Sequence, residues 1–127
     1  MKLLLDTHVV LWFFSDVEKL SKKAFDAVLN TANEKYFSIV SAWELAIKIS
    51  LGKMHFDGGI AELLSIVEDN GFVLLPVKAE YVKLVEVLPY IHRDPFDRML
   101  VASAMSENIP IISADINMQQ YSIPIIW

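Results

Sequence analysis

Apolar residues in this chain fall into short unbroken runs, separated by stretches in which they recur every three or four positions. The runs at 2–5, 36–40, 72–77, 109–113 and 123–127 are rich in Val, Ile, Leu and Phe with little polar alternation. That is the pattern of strands covered on both faces. The stretches at 7–14, 21–30, 42–51, 60–70, 79–88 and 95–107 follow a helical period instead. Gly52 and Gly71 stand where helices are expected to end, and Pro95 where one begins. Strand–helix alternation of this kind predicts an α/β fold, a three-layer α/β/α sandwich around a mostly parallel central sheet. No repeat, low-complexity tract or linker interrupts the pattern, so residues 1–127 are expected to form one domain.

Composition narrows the function classes. The chain is 54% hydrophobic with a mean hydropathy of +0.41, yet no apolar run reaches the roughly 18 residues of a membrane span. The apolar excess is therefore assigned to a doubly covered sheet or a subunit interface. Cysteine is absent, which excludes disulfides, thiolate metal sites and cysteine nucleophiles. The first apolar run meets Asp6 too early for a signal-peptide core, so the cytoplasm is the expected location. A net charge of −5 argues against a large basic nucleic-acid face, because sequence-independent affinity comes from neutralised phosphates. Nucleic acid as a substrate stays open where a metal cancels local carboxylate charge.

Four acids carry the candidate chemistry. Asp6 and Asp115 follow apolar runs, Glu44 lies just beyond another, and Asp97 opens the helix after Asp94-Pro95. A parallel sheet brings residues beyond its strand ends to one edge, where such sheets place their ligands. Carboxylates gathered there repel one another, and protons or a hard oxygen-liganded cation, Mg²⁺ or Mn²⁺, must neutralise them. Each acid also has a plain structural role. Asp6 and Asp94 suit helix N-caps, Asp115 suits a turn, and Ser41-Ala42-Trp43-Glu44 fits a capping box with a Glu44–Lys48 ion pair. Their joint placement on one edge favours a site. Arg93 and Arg98 flank Asp94 and Asp97, and Lys48 lies one turn beyond Glu44; these cations are candidates for phosphate contacts. His8, His55 and His92 lack the spacing of zinc hydrolases and read as surface or hydrogen-bonded residues. Trp12-Phe13-Phe14 and Trp43 offer a base-stacking surface, although their helical spacing favours core or interface packing.

The chain resembles PIN domains, and specifically the VapC-type toxin nucleases of toxin–antitoxin pairs. The resemblance is carried by Leu4-Leu5-Asp6-Thr7-His8, by the segment from Ser41 to Lys48, by His92-Arg93-Asp94-Pro95-Phe96-Asp97-Arg98 and by Ser113-Ala114-Asp115. It implies hydrolysis of RNA with Mg²⁺ or Mn²⁺ held by Asp6, Glu44, Asp97 and Asp115, with Asp94 an extra acidic neighbour. It also implies a homodimer and a cognate antitoxin partner. Many relatives have threonine before the last acid, and Ser113 keeps that hydroxyl here. The alternative is a catalytically inactive PIN-like interaction module, against which the intact quartet argues.

Overall fold

Lys2–Leu5 forms strand β1, whose side chains alternate between two cores. Leu3 and Leu5 enter one core together with Val9, Val10, Phe37 and Leu63, while Leu4 enters the other with Tyr81, Leu100 and Ile111. The computed structural model describes residues 1–127, and the remaining elements follow in order. They are α1 (Thr7–Ser15), α2 (Lys22–Leu29), β2 (Glu34–Ser38), α3 (Ile39–Ser50), α4 (Gly59–Asp69), β3 (Val73–Leu75), α5 (Ala79–Val87), α6 (Pro95–Glu107), β4 (Ile111–Ile112) and β5 (Ile125–Ile126). All four strand pairings are parallel, in the order β3-β2-β1-β4-β5. The first core is roofed mainly by α1 to α4 and the second by α5 and α6, which gives the three layers that the unalternated apolar runs predicted. No helix is long and apolar enough to cross a membrane.

The strand order has a functional consequence. The chain leaves β1 for β2 and β3 on one side, then returns to place β4 on the other. Connections on the two sides of β1 diverge there, and the crevice at the carboxyl ends of β1 and β4 is where doubly wound sheets bind ligands. Asp6 directly follows β1, and Ser113 to Asp115 follow β4.

One helix start differs from expectation. Helix α3 begins at Ile39, capped by Ser38, whose hydroxyl accepts the Val40 N–H at 3.1 Å. Ser41 lies inside the helix and accepts a 2.7 Å hydrogen bond from Thr7 Oγ1, so the Ser41–Glu44 capping box is not formed. Two serines three positions apart offered the same cap. The one at the end of β2 took it, and the other became a buried tie between α3 and the start of α1.

Candidate active site

Three of the predicted acids surround one cavity of about 300 Å³, whose lining includes Asp6, Asp97 and Asp115. Asp6 occupies the N-cap position of α1 but makes no side-chain cap bond. Its Oδ2 accepts a 2.7 Å hydrogen bond from Ser113 Oγ, and its Oδ1 is buried with no partner at all. An orphaned carboxylate oxygen in a buried residue is costly unless something absent from the protein satisfies it. Burial raises the Asp6 pKa above the usual carboxylate range, with the charge of Asp115 adding to it.

Asp97 sits in the first turn of α6. Burial above all, followed by the charges of Asp6 and Asp94, pushes its pKa up to about 7, and Glu44 contributes in the same direction. Asp94 caps the same helix, as the Asp94-Pro95 pair predicted. Its Oδ1 accepts from the Phe96 N–H at 2.8 Å and the Asp97 N–H at 3.2 Å.

Asp115 also has the turn role considered for it, its Oδ1 accepting the Asn117 N–H at 2.8 Å. Its Oδ2 meets a residue that sequence reasoning set aside. His92 Nε2 lies 2.7 Å from Asp115 Oδ2 and 3.2 Å from Asp97 Oδ2. His92 Nδ1 accepts the Asp94 backbone N–H at 3.1 Å, which assigns the ring proton to Nε2, where it donates to the carboxylates. One ligand atom each from His92, Asp97 and Asp115 lies within 4.8 Å of the others. The only sequence signal for this role was the place of His92 at the head of the His92-to-Arg98 motif.

Glu44 is not one of this group. It is buried, does not line the cavity, and pairs with Lys48 at 3.3 Å as its i,i+4 spacing predicted. Its charge still reaches Asp97.

The predicted phosphate contacts divide. Arg93 is exposed and free to reach solvent ligands, and Lys48 is half-buried against Glu44. Arg98 does not fit that role. It is buried, and its guanidinium donates to the carbonyls of Val85 (3.1 Å), Leu88 (3.3 Å), Pro89 (3.1 Å) and His92 (3.5 Å), stacked over the Tyr90 ring. Arg98 is thus the clamp on the end of α5 and on the loop that carries His92.

Phe13 and Phe14 take the packing role that their helical spacing favours. They are half-buried and pack on Phe25 and Phe72, so they belong to the core rather than to an exposed surface. Trp43 is exposed and stands edge-on to Phe96.

The oxygen donors fit a hard divalent cation. Asp6, Asp97 and Asp115 supply carboxylates at one cavity, one oxygen is unsatisfied, and burial, helped by the charges of Asp6 and Asp94, pushes the Asp97 pKa up to about 7. A family model described as PIN domain matches residues 3–124. The chain belongs to the PIN domain family. This PIN domain is similar along its length to the Rickettsia felis VapBC2 structure bound to a DNA fragment from its promoter. That match has a TM-score of 0.75 at 14% identity and covers 98% of this chain and 97% of the other. It is also similar to VapBC-5 of Mycobacterium tuberculosis (TM-score 0.63, 21% identity, 98% and 97% covered). A third similar structure is VapC20 of the same organism, described as a sarcin–ricin-loop-cleaving toxin (TM-score 0.66, 13% identity, 95% of each chain covered). No curated protein sequence matches this PIN domain.

Proposed function

We propose that this PIN domain is a metal-dependent endoribonuclease and the toxin of a toxin–antitoxin pair. The observation that carries the reading is the unpartnered Asp6 Oδ1, buried in a residue that lines the same cavity as Asp97 and Asp115, at the carboxyl ends of β1 and β4. Asp6 and Asp97 would hold Mg²⁺ or Mn²⁺, and Asp115 would complete the set. The bound cation supplies Lewis acidity at the phosphate and makes bound water more acidic. Glu44, whose charge reaches Asp97, would orient the attacking water or accept its proton, and the exposed Arg93 would meet substrate phosphate.

Support for RNA comes from the structurally similar VapC20, described as cleaving the sarcin–ricin loop, and support for an antitoxin partner comes from the VapBC complexes. A homodimer is part of the same reading, with the exposed Trp43 and its Phe96 neighbour as apolar surface for it. The proposed location is the cytoplasm, where RNA is found.

The test is cleavage of a labelled single-stranded RNA by the purified protein with Mg²⁺ or Mn²⁺, with chelator and Asp97→Asn controls. Cleavage that needs the ion and the carboxylate supports the nuclease reading. No cleavage with either ion favours the inactive interaction module.

A further inference from the structure

The acidic cavity has a second wall that the metal does not explain. His8 and Trp12, one turn apart on α1, line it opposite in character to the three carboxylates. Their ring centroids are 5.7 Å apart with planes tilted by 38°. Trp127 packs on Trp12 at 6.1 Å and 56°. Of the aromatic run at 12–14 only Trp12 lines this cavity, since Phe13 and Phe14 pack on Phe25 and Phe72.

Charge makes this wall informative. None of the cavity-lining residues is Lys or Arg. Lys48 is paired with Glu44 and Arg98 is committed to backbone carbonyls, which leaves Arg93 alone of the three candidate cations exposed, and the whole chain carries −5. Polyelectrolyte attraction, the usual source of affinity for nucleic acid, is therefore weak here. An aromatic platform is the other general source, and it works only on bases that are not already stacked in a duplex. At about 300 Å³ the cavity is at the small end of ligand sites, which suits one base and its phosphate rather than a helix.

We infer that Trp12, with His8 beside it, is a positioning surface on which one unpaired RNA base stacks while the neighbouring phosphate meets the acidic wall. This rests on the nuclease reading above and adds how its substrate is gripped.

The experiment compares binding of dye-labelled hexaadenylate with an abasic oligoribonucleotide of equal length and charge, in Ca²⁺, by fluorescence anisotropy. The wild-type protein should prefer hexaadenylate by about tenfold, the order of one base–aromatic stack. Trp12→Leu should bind the two alike, and Trp12→Phe should keep part of the preference. His8→Ala, at an exposed position that no core depends on, should lower the preference by about threefold and serves if Trp12→Leu does not fold. An undiminished preference in Trp12→Leu, or in His8→Ala where Trp12→Leu does not fold, would overturn the stacking inference, as would a wild-type protein that cleaves RNA without preferring the base-bearing oligomer. A wild-type protein that binds neither oligomer and cleaves no RNA in Mg²⁺ or Mn²⁺ would overturn the nuclease reading and the stacking with it.

Discussion

Ser113 Oγ donates a 2.7 Å hydrogen bond to Asp6 Oδ2 across 107 positions of chain, and the same oxygen accepts the Asp115 N–H at 3.0 Å. One hydroxyl thereby ties together the residues that follow two neighbouring strands. It fixes one oxygen of Asp6 and leaves Oδ1 for a ligand.

Replacing Ser113 with Ala should release that carboxylate. Loss of a buried partner costs about 1–3 kcal/mol of stability. Loss of an outer orienting group typically weakens metal binding by about 10- to 100-fold. Ser113→Thr keeps the hydroxyl and should stay near wild type. Thermal unfolding across a Mg²⁺ titration measures both effects, and equal metal response in Ser113→Ala and wild type would refute the orienting role.

Acidity should stabilise the metal-free protein. The pKa of Asp97 is raised from 3.8 to about 7, chiefly by burial. Through that window the folded state holds a proton that the unfolded chain has released, so stability falls as pH rises from about 4 to about 7 and levels off above it. Asp6, also raised by burial, acts with the same sign. Melting temperatures in chelator should decline across the window, and Asp97→Asn should flatten the decline.

Saturating Mg²⁺ or Mn²⁺ should raise the melting temperature, by about 2.7 kcal/mol of added stability at a hundred times the dissociation constant. Asp97→Asn should remove most of that response together with RNA cleavage. Asp94→Asn retains a good N-cap residue, and because Asp94 already serves α6 as its cap, cleavage should survive within a few-fold. Calorimetric melts and a cleavage time course on the two variants separate these roles.

Arg98→Ala should be the most damaging of the basic substitutions, by about 3 kcal/mol or more, since it leaves several carbonyls unsatisfied and frees the His92 loop. Arg98→Lys should recover little, because an ammonium cannot fork between carbonyls as a guanidinium does. Arg93→Ala, at an exposed position, should change stability by about 0.5 kcal/mol or less. Urea unfolding midpoints compare the three directly.

The parts of this molecule readable from residue order were those set by local rules. Unalternated apolar runs marked the strands, of which β1 and β4 are buried on both faces, and Asp94-Pro95 marked the start of α6. Tertiary choices were not readable. The capping-box pattern pointed to Ser41 as the cap of α3, yet Ser38 took that place and Ser41 bonds Thr7 instead. His92 gained its role from a carboxylate 23 positions away. Arg98 was misassigned because it adjoins Asp97 in sequence. Consecutive helical residues point about 100° apart, so one faces the cavity while the other turns toward the end of α5.

The placement of β1 at the centre of the sheet also bears on how the protein is made. Its partner β4 and the Ser113–Asp115 segment are synthesised more than 100 residues after Asp6. A partly translated chain can form β1, β2 and the helices between them, yet it lacks Asp115, the Ser113 tie and the β4 side of the crevice. The assembled site therefore exists only once nearly all of the residues described here have left the ribosome. Non-local parallel pairing of this kind also forms late in folding. For a chain read as a toxin, that order of assembly would leave incomplete copies without the assembled site.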